Sequence, residues 1–297
     1  MTPPHARAPV HPAPRARHHA PEASHPFDTV LQAEREALRA LFPLPPARAP
    51  RGTGRQALRN GGVAALVLAA ATGALLWADP AWRTEHHATA TGERRDVPLA
   101  DGSTLTLDTA TALDVAWHLR SRRVALRQGQ ARFAVAPSTW RPFEVAAAGA
   151  RIRVVGTVFD VRRTQERVQV TVLQGRVAVH GPGDAGAPQL LAPGQRLRLE
   201  GGRATAPQAV DAAQAGAWQQ GRLVFDRTPL RDALAEAQRY RGGAIRLHDD
   251  GRLGGHAVSG VFETARTDQM LDLLPRIAPA RVQRHADGSV DITPAAR

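Results

Sequence analysis

The chain contains no cysteine and no lysine. The first absence excludes a disulfide framework and thiolate chemistry, so any folded body must depend on its hydrophobic core. The second means that all 39 basic residues are arginine. A formal net charge of +12 invites a nucleic-acid reading. However, missing lysine together with heavy alanine, proline and glycine usage points to a coding bias that spread arginine along the chain. Runs such as Arg151-Ile152-Arg153-Val154 and Arg196-Leu197-Arg198-Leu199 put arginine on the solvent side of strands. No nucleic-acid partner is expected. Zinc-protease, phosphate-loop and metal-spaced carboxylate signatures are also missing, so neither a conventional enzyme nor a cofactor or metal site is expected. His5, His11, His18, His19 and His25 lie among prolines without carboxylate partners, and His86-His87 likewise stands alone.

Charge itself is missing from one long stretch only, residues 61–78 (GGVAALVLAAATGALLWA). Eighteen such residues are just long enough to cross a bilayer as a helix. Leucine and valine favour insertion, alanine and glycine give little, and Trp77 sits where an aromatic ring prefers the headgroup layer. Arg48, Arg51, Arg55 and Arg59 precede the run, whereas Asp79, Glu85, Glu93 and Asp96 outnumber Arg83, Arg94 and Arg95 after it. The arginine excess predicts an N-terminus inside and a body outside. Gly61, Ala65, Ala69 and Gly73 form a small-residue ridge suited to helix pairing.

Residues 1–26 are rich in proline, arginine and histidine and predict a disordered tail. Over 27–42 helical spacing appears: Phe27, Val30, Leu31, Leu38, Leu41 and Phe42 share one face, between Pro26 and Pro43. A lone amphipathic helix needs a partner for that face, and residues 43–60 link it to the apolar run. After a stalk at 79–95, the period changes to two from 96 to 204, as in Val168-Gln169-Val170-Thr171-Val172. Turn signals fall at Asp101-Gly102, Gln128-Gly129, Gly156, Gln174-Gly175, Gly181-Pro182-Gly183 and Pro193-Gly194. Residues 124–133 (VALRQGQARF) align with 170–179 (VTVLQGRVAV), and such hairpin-like units suggest stacked, solenoid-like β-layers.

A linker at 205–220 leads to a last domain over 221–297. Thr228-Pro229 reads as a helix start, with threonine as N-cap, and Gly242-Gly243 as its end. Strands fit 223–225, 244–248, 258–262, 280–285 and 289–292, and a second helix fits 268–274. The order is β-α-β-β-α-β-β, a small α+β domain. The fold class expected is therefore mainly β: one membrane helix, an all-β domain, then the α+β domain.

The segments DGSTLTLDTATALDV (101–115), RRVALRQGQARFAV (122–135), PFEV (142–145), GTVFDV (156–161), VTVLQGRVAV (170–179) and LAPGQRL (191–197) together resemble the FecR family. Residues 218–240, followed by VSGVF (258–262), resemble the secretin/TonB short N-terminal module. The resemblance implies a single-pass inner-membrane regulator with a cytoplasmic head and a periplasmic body. The body would sense the signalling domain of a TonB-dependent outer-membrane receptor, occupied by a siderophore, haem or ferric chelate. The head would grip an extracytoplasmic-function sigma factor, here through Phe27, Val30, Leu31, Leu38, Leu41 and Phe42. Gly156-Thr157 resembles the Gly-Thr at which some members cut themselves; the Thr157 hydroxyl would attack the Gly156 carbonyl. Periplasmic and intramembrane proteases would free the head. Arg222, Arg227, Arg239 and Arg241 would steer the receptor to an exposed sheet edge at 223–225 or 258–262. The alternatives are an envelope- or cell-wall-binding structural module and a part of a secretion assembly.

Overall fold

A computed structural model describes residues 53–183, 186–248 and 251–295, with side chains from Leu66 onward. The head contacts expected at Phe27, Val30, Leu31, Leu38, Leu41 and Phe42 lie outside the described residues. The chain divides into two units, residues 1–67 and Leu68–Arg297.

Helix α1, Thr53–Ala78, carries the uncharged run. With no proline from residue 53 to 78 and much alanine, nothing interrupts its hydrogen bonds until Asp79, whose φ is +40°, and Pro80. Every residue from 66 to 78 is exposed, leucines and valine included. Among the described residues no helix is long and apolar enough to cross a membrane.

The second unit opens with a curled sheet of fourteen strands. Its first face holds β1 (Arg83–Ala88), β4 (Ala112–Trp117), the first half of β5 (Arg122–Ala134), β6 (Phe143–Ala147), β7 (Ala150–Val154), β10 (Val177–His180) and β11 (Gln189–Leu191). Its second face holds β2 (Arg95–Pro98), β3 (Thr104–Leu107), the second half of β5, β8 (Val158–Thr164), β9 (Arg167–Gln174), β12 (Gln195–Glu200), β13 (Arg203–Ala204) and β14 (Gln208–Ala209). Alternating residues such as Leu113, Val115 and Trp117 on β4, or Leu197 and Leu199 on β12, are buried. At the centre Phe133 stacks on Phe159, with ring centroids 5.1 Å apart, and meets the edge of Phe143 at 6.1 Å.

The internal repeat has a different meaning from the hairpins expected. Neither Gln128-Gly129 nor Gln174-Gly175 reverses the chain. Strand β5 pairs with β4 and β6 before Gly129 and with β3 and β8 from Gly129 on, so the glycine marks its passage from one face to the other. Strand β9 lies on the second face and β10 on the first, and the two do not pair with each other; Gly175 joins them. Both glycines have φ above +80°. The result is one sheet folded over its own core, not a stack of repeated layers. Two segments read as connectors are also built into the fold: β1 lies within the expected stalk, and β14 and Trp218 within the expected linker.

The last domain has the strand and helix order expected. It comprises β15 (Arg222–Pro229), α3 (Leu230–Gln238), β16 (Ile245–Leu247), β17 (Ala257–Glu263), α4 (Thr267–Ile277), β18 (Ala280–Arg284) and β19 (Val290–Pro294), with a short α2 (Ala212–Gly216) before it; α2 to α4 are counted onward from α1. Strands β15 and β17 form a two-stranded ladder, and β16-β19-β18 a three-stranded sheet. Leu230, Leu234, Leu271 and Leu274 press the two helices against Val290 and Ile292. Thr228 does not cap α3: it still pairs with Val258 in the ladder, and its hydroxyl faces the Asp226 carbonyl. The helix ends at Gln238, before Gly242-Gly243.

Candidate functional site

The outer side of the second face is where the two domains meet. Period-two alternation turns Gln130 and Arg132 of β5, Asp160 and Arg162 of β8, Thr171 of β9, and Arg196 and Arg198 of β12 away from the core. Register lines them up in two rows, Arg132–Asp160–Thr171–Arg196 and Gln130–Arg162–Gln169–Arg198.

One end of these rows is clamped. Arg239, at the end of α3, donates to Asp108 at 2.8 Å, to Gln130 at 3.0 Å and to Glu236 at 2.7 Å. The Tyr240 hydroxyl donates to the same Asp108 oxygen at 2.8 Å, and Thr109 donates to the Arg239 carbonyl at 2.9 Å. Arg162 reaches Glu236 at 2.5 Å. Beside this, Arg132 grips both oxygens of Asp160 at 2.6 and 2.8 Å, and the Trp218 indole donates to Asp160 at 3.2 Å. The Arg132 guanidinium also stands 5.8 Å over the Trp218 ring.

Burial sets the electrostatics. It pushes the Asp108 and Asp160 carboxyls above the usual range, against the pull of their arginines. It also acts on Glu236, but there Arg162 and Arg239 outweigh it and hold the carboxyl below its ordinary value. Burial and the Asp108 carboxylate push the Tyr240 hydroxyl up.

The rows also line a cleft of about 640 Å³ that runs from Asp160, Arg162 and Glu236 of the clasp to β9, β12 and β15. Arg196 and Arg198 line it and meet Thr171 and Gln169, with no carboxylate in ion-pair contact among the described residues. Burial and then the neighbouring Arg198 and Arg162 pull Arg196 below the usual arginine range. Across the cleft runs an unpaired edge of β15. Thr264 donates to the Gly221 carbonyl, so along β15 the groups of Arg222 and Val224 alternate outward, away from β17. The Val224 carbonyl accepts from the Gln214 amide at 3.5 Å and, among the described residues, from no other side chain.

The four arginines expected on a receptor surface separate. Arg222 and Arg227 are exposed, Arg222 beside Gln220 and Arg227 at a bulge 3.7 Å from Asp226. Arg239 is spent inside the clasp, and Arg241, largely buried, pairs with Asp268 at 3.0 Å. Gly156 and Thr157 lie in the bend between β7 and β8. A Cβ on Gly156 would come within 2.8 Å of the Pro137 backbone. Thr157 is buried, and its hydroxyl has no hydrogen-bond partner. Sequence reasoning missed Asp108, Asp160, Trp218 and Glu236. For Asp160 the signal was an acidic residue at an outward strand position, in Phe159-Asp160-Val161.

Fold and clasp define a two-domain protein in which an α+β domain is locked onto the outer face of a curled β-sheet. Residues 85–178 of that sheet match the family model described as FecR protein. Two crystal structures of a protein from Parabacteroides distasonis, provisionally described as an anti-sigma factor, share the fold. At 2.50 Å and 1.65 Å resolution, each gives a TM-score of 0.62 at 23% identity; they cover 72% and 71% of this chain and all of their own. No curated protein matches the sequence at a significant level.

Proposed function

We propose that this protein is a FecR-type regulator of a sigma factor, anchored in the inner membrane by α1. Its head would face the cytoplasm, and its two described domains would receive a signal from a TonB-dependent outer-membrane receptor. The observation that carries the reading is the FecR match of the β-domain. The apolar end of α1, exposed on every side and leading straight into that domain, supports the anchor. A strand from the receptor's signalling domain would extend the β15–β17 ladder, since a two-stranded sheet gains by a third strand. Arg222 and Arg227 remain exposed to guide it.

Full-length protein cross-linked in intact cells and purified from the membrane fraction tests the head's role. A sigma factor of the extracytoplasmic-function class should be recovered, and its yield should fall when Leu38 and Leu41 are changed to aspartate. Recovery that ignores those changes, or none at all, would overturn the sigma-factor reading.

Self-cleavage between Gly156 and Thr157 belongs to the same proposal. The Thr157 oxygen would add to the Gly156 carbonyl carbon, and the peptide C–N bond would break as its nitrogen takes the hydroxyl proton. Water would then split the ester. The hydroxyl is adjacent to that bond and makes no competing hydrogen bond. A denaturing gel of purified protein should show a fragment beginning at Thr157, absent in Thr157→Ala. Full-length chain alone, in the unaltered protein, would reject it.

A further inference from the structure

Large apolar side chains are exposed unevenly over the second unit. Trp82 (62% exposed), Leu119 (52%) and Trp140 (91%) belong to one end of the β-domain, with Trp77 and Val155 beside them. Hydrogen bonds draw these residues together. Trp82 donates to the Trp117 carbonyl at 3.0 Å, next to the turn that carries Leu119. Arg141 donates to the His118 carbonyl at 2.7 Å, which brings the loop of Trp140 against that turn. Ser138, in the same loop, donates to the Val155 carbonyl at 2.8 Å.

This end is fixed to the exit of α1. The Asp79 carboxylate accepts from the Arg120 amide at 2.9 Å and from the Ser121 hydroxyl at 2.8 Å, while the Arg120 side chain reaches the Leu76 carbonyl at 3.2 Å. Tryptophan at such exposure has no packing role within the domain. An indole with an apolar body and one N–H suits a boundary that is oily on one side and wet on the other. Arg83, Arg120 and Arg123, all exposed, ring the same end. Arg83 lies 3.2 Å from Glu85, and Arg123 lies 3.6 Å from Asp79 and 4.0 Å from Glu144; their solvent-facing guanidinium groups can also meet phosphate.

We propose that this end of the β-domain is seated on the lipid headgroup layer. Trp82, Leu119 and Trp140 enter the interface, and the neighbouring arginines meet anionic headgroups. The domain then lies against the bilayer, where the sequence suggested a free stalk. The inference rests on the membrane-anchored reading above and adds a second, lateral contact to it. Continuity with the end of α1 favours lipid as the occupant over a second copy of the chain.

The lack of native cysteine makes Trp140→Cys and Leu119→Cys single-cysteine proteins, each at an exposed position with little burden on folding. Each full-length variant, labelled with an environment-sensitive fluorophore, is reconstituted into vesicles of phosphatidylethanolamine and phosphatidylglycerol. Arg203→Cys, exposed on β13, is the control. The label at 140 and at 119 should shift to the blue and be quenched by lipids brominated near the headgroup, and the control should do neither. If the protein floats with the vesicles while the label at 140 reads like the control, the seating is wrong and the anchor stands. If the protein does not float with them, the anchor fails and takes the seating with it. A blue shift that grows with protein concentration and ignores brominated lipid would assign the surface to a second copy, which also overturns the proposal.

Discussion

Arg239→Ala is expected to free the α+β domain from the β-sheet and to turn one unfolding transition into two. The guanidinium joins Asp108 and Gln130 of one domain to Glu236 of the other, and little of it reaches solvent. Without it, Asp108 keeps only neutral donors such as Tyr240 while remaining almost fully buried. Removing one partner of a buried pair costs about 3–5 kcal/mol, because the other charge stays behind in low dielectric. Glu236 is spared the worst of this, since Arg162 still reaches it at 2.5 Å. Arg239→Lys should fall between, since a single ammonium cannot span both carboxylates and the Gln130 amide as the planar fork does. Replacing Asp108, Glu236 and Arg239 together by apolar residues of similar volume should cost less than the single alanine change. Chemical denaturation read at Trp218 and at the β-domain separately, with limited proteolysis over residues 205–216, provides the measurement. A single transition at an unshifted midpoint in Arg239→Ala would show that the clasp does not hold the domains together.

The clasp also illustrates how far the sequence could be read. Period-two runs such as Val168-Gln169-Val170-Thr171-Val172 announced strands, because alternation is a local property that each strand carries in itself. Both helices of the last domain were visible for the same reason: Leu230, Ala233, Leu234 and Ala237 make one buried stripe. Pairing is not local. Nothing in residues 122–134 says that this strand will serve four partners on two faces, and so Gln128-Gly129 looked like a turn. The same limit governed the site. Helical spacing placed Arg239 off the buried stripe of its own helix, which read as solvent; that a sheet 131 residues away in sequence packs over it depends on docking. Asp160 and Trp218 are 58 residues apart and find each other only after the β14 segment has returned along β12. The apolar face of 27–42 lies outside the described residues, so its reading stays one of sequence.

The crossing glycine gives the second large effect, and it connects the repeat to the clasp. A Cβ on Gly129 would sit 2.4 Å from the Thr111 hydroxyl oxygen and 2.5 Å from the Thr111 Cα, in a backbone conformation with φ of +86°. The first contact is with a side chain that cannot turn away cheaply. The Thr111 hydroxyl donates to the carbonyl of Gln130 at 3.0 Å and accepts from the Gln130 amide at 3.0 Å. The second is with backbone. Strain at a left-handed position costs about 1–3 kcal/mol, and forcing an extra carbon into packed surroundings about 1–3 kcal/mol more. Gly201→Ala is the matched control: φ is +54° there and nothing lies within 4 Å, so only the backbone strain remains. Gly129→Ala should therefore lower the denaturation midpoint well beyond Gly201→Ala. Its damage should also travel, because Thr111 is three residues from Asp108 and Gln130 accepts from Arg239 through its side chain. Proteolysis between the domains should thus rise in Gly129→Ala and not in Gly201→Ala. Equal and small effects of the two substitutions would mean that β5 crosses between faces with room to spare, and the tight passage inferred for the Gln-Gly repeat would be wrong.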